Sequence, residues 1–115
     1  GACTILFNNE PVRSCLMLAP QIDNGEITTI EGISENSTYN DLREAFKKYH
    51  ALQCGYCTPG FLTTIVYLLE KKQYLSDEEI RKKLSGNICR CTGYTGIIKA
   101  VKEVMANRFK RSLND

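Results

Sequence analysis

The spacing of apolar residues changes about one third of the way along this chain of 115 residues. In the first third, the apolar run Thr4–Phe7 is followed by turn residues 8–11 and a second short run from Val12, which predicts a hairpin. After the turn residues Asp23–Gly25, two threonines between two isoleucines predict a further β segment over Ile27–Ile30. The first third is therefore predicted to consist of strands and turns.

From Thr38 onward, apolar residues recur every three or four positions, which predicts four helices. Thr38 with Asp41, and Ser76 with Glu79, resemble the capping boxes that begin the first and third helices. The third helix is predicted to end at Leu84, before a glycine. The predicted inner faces carry Leu42, Ala45, Phe46 and Tyr49; Phe61, Leu62, Ile65, Val66 and Leu69; and Ile97, Ile98, Val101, Val104 and Met105.

The second and fourth helices are predicted to follow cysteine-containing segments. Thr58 is predicted to cap the second helix, with Pro59 at its first position, where a missing N–H has no cost. That helix should end near the lysines at 71 and 72, whose charge suits a helix C-terminus. The fourth helix is predicted over about 96–109.

Charge and composition exclude several classes of protein. With 15 basic and 13 acidic residues the net charge is +2, and the basic residues are spread out, so we expect no nucleic-acid partner. No apolar run approaches the length of a membrane span. Six cysteines among 115 residues are too few for a small secreted disulfide scaffold, which has more than about 8–10% cysteine. A reducing compartment is expected, and we predict a cytoplasmic protein with thiolate ligands.

Two short segments bring four of the cysteines into closely spaced pairs. Residues 53–60 read Gln-Cys-Gly-Tyr-Cys-Thr-Pro-Gly, and residues 86–96 read Gly-Asn-Ile-Cys-Arg-Cys-Thr-Gly-Tyr-Thr-Gly. If the two loops meet, they form a four-sulfur cage at two helix starts, where the helix dipole lowers thiolate pKa and favours an anionic cofactor. The cage cysteines are Cys54, Cys57, Cys89 and Cys91.

The spacing of the cysteines by itself is compatible with three kinds of site. Four thiolates can hold a tetrahedral zinc ion or a [2Fe–2S] cluster, or the cysteines can form disulfides or stay unligated. Zinc ribbons normally use two Cys-x2-Cys knuckles, so the tighter Cys89-Arg-Cys91 spacing favours iron and sulfur. Tyr56 and Tyr94 flank the cage and are predicted to pack over it.

The two motifs closely resemble the C-terminal helical domain of the iron–sulfur subunits of molybdenum hydroxylases, the xanthine dehydrogenase and aldehyde oxidoreductase group. The front of the chain, with Cys3 and Cys15, resembles the second half of that family's plant-type ferredoxin domain. The resemblance implies an α+β fold, in which the C-terminal half of a β-grasp ferredoxin domain precedes a four-helix [2Fe–2S]-binding domain. A shift in composition after Gly32 predicts a linker over 33–37, which separates a partial ferredoxin-like domain over 1–32 from the helical domain over 38–115.

The resemblance also implies the function. The family's subunits carry two [2Fe–2S] clusters and pass electrons from a molybdopterin on a large partner subunit to an acceptor, usually FAD on a medium subunit. Cys54, Cys57, Cys89 and Cys91 match the ligands of the proximal cluster. Gln53 matches a glutamine beside the pterin, and Cys91 matches the ligand nearest its edge. The substrate site would lie on the partner, so this chain would be an electron carrier within an oxidoreductase.

The N-terminal cysteines fit only half of the family pattern. Plant-type ferredoxins use Cys-x4-Cys-x2-Cys and a distant fourth cysteine, and Cys3 with Cys15 matches the third and fourth of these ligands. We therefore expect that the natural protein has an additional N-terminal segment, and that the 115-residue chain by itself completes one cluster. The alternative function is a structural zinc-binding interaction module, and a third is a ferredoxin-like carrier that acts without a partner.

Overall fold

The computed structural model describes residues 1–71 and 73–114. Three strands, β1 (Thr4–Phe7), β2 (Glu10–Arg13) and β3 (Ile27–Thr28), form one sheet in the order β2-β1-β3. Five helices follow the strands: α1 (Ile30–Ile33), α2 (Ser37–Lys48), α3 (Thr58–Glu70), α4 (Asp77–Lys83) and α5 (Thr95–Asn114). The predicted α+β class is confirmed.

The predicted hairpin is present, with a tighter turn than expected. Asn8 and Asn9 both have positive φ, 49° and 65°, which is the geometry of a two-residue turn between antiparallel strands. Phe7 pairs with Glu10 and Leu6 with Pro11, so two of the four predicted turn residues belong to β2 instead. Asparagine tolerates this backbone conformation, which allows the two-residue connection.

The predicted third strand is shorter in the structure. β3 ends at Thr28, Thr29 precedes a helical turn, and Ile30 begins α1, so the β prediction is wrong for its last two residues. Ile33 is buried in the helical core at 3% exposure. Burial of this side chain against the helices overrides the strand preference of the β-branched residues before it.

Two helix starts differ from the prediction. Asn36, not Thr38, caps α2, since its side-chain oxygen accepts the Thr38 N–H at 2.8 Å. Thr38 is buried, and Arg108 of α5 donates a hydrogen bond to its hydroxyl. Cys57 holds the cap position of α3, and Thr58 is already helical. The Thr58 hydroxyl oxygen is buried without a hydrogen-bond partner in the described part of the chain, so it caps nothing there.

The remaining helix predictions agree closely with the structure. Ser76 and Glu79 form the predicted capping box of α4, which ends one residue before the predicted Leu84. α5 begins at Thr95 and extends to Asn114, past the predicted end. Helix α3 ends at Glu70, with Lys71 at its cap position, and the predicted contribution of Lys72 lies outside the described residues.

One hydrophobic core joins the helices, and the predicted inner faces supply most of it. Phe46, Phe61, Ile65, Ile97 and Val101 are each no more than 1% exposed. The partial exception among the predicted inner-face residues is Tyr49, which is half-buried. Helix α5 packs along α2, and strands β1 and β2 lie against α3. None of the helices within residues 1–71 and 73–114 is long and apolar enough to cross a membrane.

Candidate metal centre

The two cysteine segments meet between the starts of α3 and α5, and their thiols lie in two pairs. The outer pair is Cys54 and Cys91, whose Sγ atoms are 3.6 Å apart. The inner pair is Cys57 and Cys89, and each of these thiols shifts the pKa of the other. Each pair therefore takes one cysteine from each segment, and neither the Cys-x2-Cys nor the Cys-x-Cys motif forms a pair within itself.

The separation within the outer pair suits two ligands of one metal ion. Two sulfurs bound to one tetrahedral metal at about 2.3 Å lie roughly 3.8 Å apart. The observed 3.6 Å is close to this value. All six cysteines are free thiols, so none of them is used in a disulfide. The donor set thus fits iron, which takes cysteine thiolates in [2Fe–2S] centres.

The arrangement of the pairs separates a two-metal centre from a single ion. A structural zinc ion would need four ligands around one point. The four thiols form two pairs instead, which matches a binuclear cluster in which each metal takes two cysteines. The zinc alternative is not supported.

Positive-φ glycines shape both cysteine segments. Gly55 has φ of 81° and Gly93 of 66°, a backbone conformation that other residues adopt at a cost. The turn at Gly55 also brings the Tyr56 N–H to 3.5 Å from the Cys54 sulfur. The segments therefore wrap their backbone around the sulfurs.

Burial dominates the chemistry of Cys57. It raises the pKa of the Cys57 thiol to about 11, and the hydrogen bond with Cys89 and the charges of Cys89 and Cys54 act in the same direction. The expected lowering of thiolate pKa at a helix start is therefore wrong for Cys57. The reason is that loss of hydration opposes the charged form more strongly than the helix dipole favours it.

Hydrogen bonds give Cys89 the opposite behaviour. Burial disfavours its thiolate, but hydrogen bonds from the Thr92 hydroxyl, the Thr92 N–H and the Cys91 N–H outweigh burial and lower the pKa of Cys89. The Thr92 hydroxyl donates to the Cys89 Sγ at 3.1 Å. Sequence reasoning missed Thr92, although a hydroxyl residue directly after Cys-x-Cys was a usable signal.

The two tyrosines beside the cage differ. Tyr94 packs against Phe61, with ring centroids 6.3 Å apart, and its hydroxyl accepts the Cys89 N–H at 3.1 Å. Its φ of 71° shows that the backbone is held in an unusual conformation to place the ring there. The predicted packing role is therefore confirmed for Tyr94. It is wrong for Tyr56, which is 81% exposed.

The outer pair lies at the protein surface. Cys54 and Cys91 are both exposed, as are Gln53 and Arg90. The Gln53 side chain donates to the Cys91 backbone oxygen at 3.2 Å, so it joins the two cysteine segments at this surface. The structure thus brings Gln53 and Cys91 together, and the role beside a pterin that the resemblance implies for both residues stays a prediction.

A buried polar cluster lies behind the inner pair and connects it to the sheet. Asn87, 3% exposed, receives hydrogen bonds from the Thr64 hydroxyl at 2.9 Å and from Arg13 at 3.3 Å. Its amide donates to Thr4 Oγ1 at 3.3 Å, and Arg13 also donates to Thr4 at 2.9 Å and to the Gly86 carbonyl at 3.0 Å. The segment before Cys89 is therefore fixed to β1 and β2.

Cys3 and Cys15 form a third pair beside this cluster. Their Sγ atoms are 3.2 Å apart, with Cys15 exposed and Cys3 half-buried. The Ser14 hydroxyl donates to the Cys3 carbonyl at 2.8 Å, which joins the two short segments that carry these thiols. Thr4, next to Cys3, and Arg13, two residues before Cys15, both belong to the polar cluster around Asn87.

Comparison with known families identifies the domain that carries the outer and inner pairs. Residues 29–102, well over half of the chain, match the model of the [2Fe-2S] binding domain. The matched range contains the outer and inner pairs and ends within α5. Cys3 and Cys15 lie before it.

Curated relatives extend the match over most of the chain. The chain is 50% identical over 107 residues to caffeine dehydrogenase subunit gamma of Pseudomonas sp. (strain CBB1), covering 90% of this chain and 64% of that protein. It is 49% identical over 102 residues to the nicotinate dehydrogenase small FeS subunit of Eubacterium barkeri, covering 89% of this chain and 65% of that protein. The chain thus spans slightly less than two thirds of these relatives.

A solved structure gives the same result for the fold. Quinoline 2-oxidoreductase from Pseudomonas putida 86 superposes with a TM-score of 0.82 at 44% identity, covering 95% of this chain and 68% of that chain. Family model, relatives and solved structure therefore agree on the kind of protein. The chain belongs to the [2Fe-2S]-binding domain family and groups with the iron–sulfur subunits of molybdenum hydroxylases.

Proposed function

We propose that this chain carries electrons as part of the iron–sulfur subunit of a molybdenum-containing hydroxylase, with Cys54, Cys57, Cys89 and Cys91 as the ligands of a [2Fe–2S] cluster. The observation that carries the proposal is the pairing of the four thiols across the two segments, with 3.6 Å between the outer sulfurs. Family membership supports the cluster type. When bound, a [2Fe–2S] cluster accepts and releases one electron at a time.

The protein gives the two pairs different surroundings. Cys57 is half-buried and Cys89 is 7% exposed, so the core covers the inner pair. Tyr94 packs on Phe61 and binds the Cys89 N–H on this side, and burial and hydrogen bonding of the ligands help set the potential of such a centre. Cys54 and Cys91 are left open on the other side, which is where we place the electron donor.

The proposed donor is a molybdopterin on a large partner subunit, beside Gln53 and Cys91. The side-chain bond from Gln53 to the Cys91 carbonyl supports this role, because it holds the amide next to an exposed ligand. Leu52, Tyr56 and Ile88 are exposed apolar residues in or next to the two cysteine segments, and Tyr56 and Ile88 are more than 70% exposed. Apolar side chains of this kind are typical of an interface that is buried in an assembly.

The proposed exit lies at Cys3 and Cys15, as two of the four ligands of a second [2Fe–2S] cluster. From there electrons would pass to FAD on a medium subunit or to another acceptor. The contact between the two thiols supports this assignment, because it places two candidate ligands side by side. We further propose a ferredoxin-like unit over 1–32, a linker over 33–37 and a helical domain over 38–115. The six free thiols support a cytoplasmic location.

The test uses the purified native assembly with Cys57→Ser in this subunit. Substrate binding to the large subunit should stay close to the wild-type value, because the substrate site lies on the partner. Turnover with the natural acceptor should be lost, because the electron path is interrupted. Unchanged turnover would contradict the proposal.

A spectroscopic measurement excludes the zinc-binding module independently. The wild-type protein should be red-brown, absorb in the visible range and give an electron paramagnetic resonance signal when reduced. A colourless protein with one zinc ion per chain would contradict the proposal, since zinc has no redox chemistry.

A further inference from the structure

Thr92, which is not one of the four cysteines, donates a side-chain hydrogen bond to a sulfur of the inner pair. Its hydroxyl donates to the Cys89 Sγ at 3.1 Å, and its oxygen accepts the Tyr94 N–H at 3.2 Å. The accepted N–H occupies a lone pair of the hydroxyl oxygen. The hydroxyl proton is therefore directed at the sulfur, and the bond is built into the turn that follows Cys91.

The surroundings of this bond limit competition from water. Thr92 is half-buried and Cys89 is 7% exposed. Tyr94, which fixes the Thr92 oxygen through its N–H, is itself held by its ring contact with Phe61 and by the Cys89 N–H. A hydrogen bond in such a setting is electrostatically stronger than an exposed one.

We propose that Thr92 is a positioning residue that acts through Cys89 to raise the reduction potential of the cluster and so helps set the driving force for electron transfer. The proposal rests on the proposed function, because it requires Cys89 to be a cluster ligand. It adds a residue outside the four cysteines.

The direction of the effect follows from charge. Adding one electron increases the negative charge on the cluster and its sulfur ligands. A hydrogen bond donated to a sulfur ligand is strengthened as that charge grows, because charge-assisted hydrogen bonds are stronger than neutral ones. The Thr92 hydroxyl therefore stabilises the reduced form more than the oxidised form, and hydrogen bonds to the sulfurs are among the factors that set such potentials.

The experiment is a redox titration of the iron-loaded full-length protein, followed by electron paramagnetic resonance. Thr92→Val keeps the shape of the side chain and removes the hydroxyl. We expect it to shift the reduction equilibrium threefold to tenfold toward the oxidised form, which lowers the potential by about 28–59 mV for a one-electron couple. Thr92→Ser keeps the hydroxyl and should stay within about twofold of wild type, or about 18 mV.

Each outcome separates this inference from the proposed function. A wild-type protein without a [2Fe–2S] signal would refute the proposed function itself. A loaded Thr92→Val protein with the wild-type potential would overturn only the role of Thr92. A Thr92→Ser potential as low as that of the valine variant would also overturn it, because the lost methyl group would then explain the shift. If valine prevents loading, Thr92→Ala removes the same hydroxyl and must give the same fall.

Discussion

The inner and outer cysteine pairs have the same ligand chemistry in contrasting environments. Cys57 and Cys89 lie against the core and are surrounded by hydrogen bonds and packed rings. Cys54 and Cys91 are exposed, and their supporting contacts are the Tyr56 N–H and the Gln53 amide. The difference shows that one ligand set can be divided between two environments: the inner pair belongs to the core, and the outer pair belongs to the surface.

The largest expected effect compares serine variants of the two pairs. Cys57→Ser should lower the iron content by on the order of tenfold or more, because a half-buried hydroxyl is a poor ligand and metal binding is coupled to folding. Cys54→Ser should keep measurable iron, because solvent can supply an oxygen ligand at an exposed position. Iron content relative to the wild-type protein is the measurement. Equal losses in the two variants would remove the distinction between the pairs.

The second comparison concerns the polar residue that supports each pair. Asn87→Ala should lower the free energy of unfolding by about 2–3 kcal/mol, because it removes the hydrogen bonds that the buried Asn87 side chain makes with Thr64, Arg13 and Thr4. Gln53→Ala removes a solvent-exposed hydrogen bond and should change the free energy of unfolding by less than about 0.5 kcal/mol. Urea unfolding of the iron-loaded chain measures both. If Gln53→Ala proved as costly as Asn87→Ala, the outer surface would be part of the folding core.

The third comparison uses the two tyrosines. Tyr94→Phe should cost about 1 kcal/mol, since the Cys89 N–H loses its acceptor while the ring contact with Phe61 stays. Tyr56→Phe should leave stability unchanged, because its side chain is 81% exposed. Thermal unfolding of both variants, followed by circular dichroism, provides the test. A larger loss in the Tyr56 variant would show that this ring packs within the chain.

The smallest expected effect concerns the pH dependence of a contact outside both pairs. Lys48 donates a hydrogen bond to Glu103, and this bond together with the Lys48 charge holds the pKa of Glu103 below its usual range. A carboxylate with a lowered pKa stabilises the fold above its unfolded pKa, and this contribution is lost as the pH falls through the lowered value. Glu103→Gln should therefore weaken the fold slightly at pH 7 and flatten its acid dependence. A wild-type acid profile in this variant would contradict the assignment.

Most helices were predictable because their signals are local. The capping box of Ser76 and Glu79 and the apolar spacing of α3 and α5 lie within a few residues of the structure they specify. The wrong predictions lie where a contact made in the folded structure outweighs the local signal. Thr38 was predicted as a cap, but Arg108 of α5 binds its hydroxyl and Asn36 caps the helix instead. Ile30 joins a helical turn beside buried Ile33.

The sequence by itself determined the set of four cysteines and the helix starts that follow them, because motif spacing and helix signals are properties of neighbouring residues. Only the tertiary structure decided the pairing of Cys54 with Cys91 and of Cys57 with Cys89, and which pair is exposed. It also brought Asn87 to Thr4, 83 residues away, and turned the Thr92 hydroxyl toward Cys89. The physical reason is that burial and hydrogen bonding depend on how distant segments pack, which spacing along the chain does not encode.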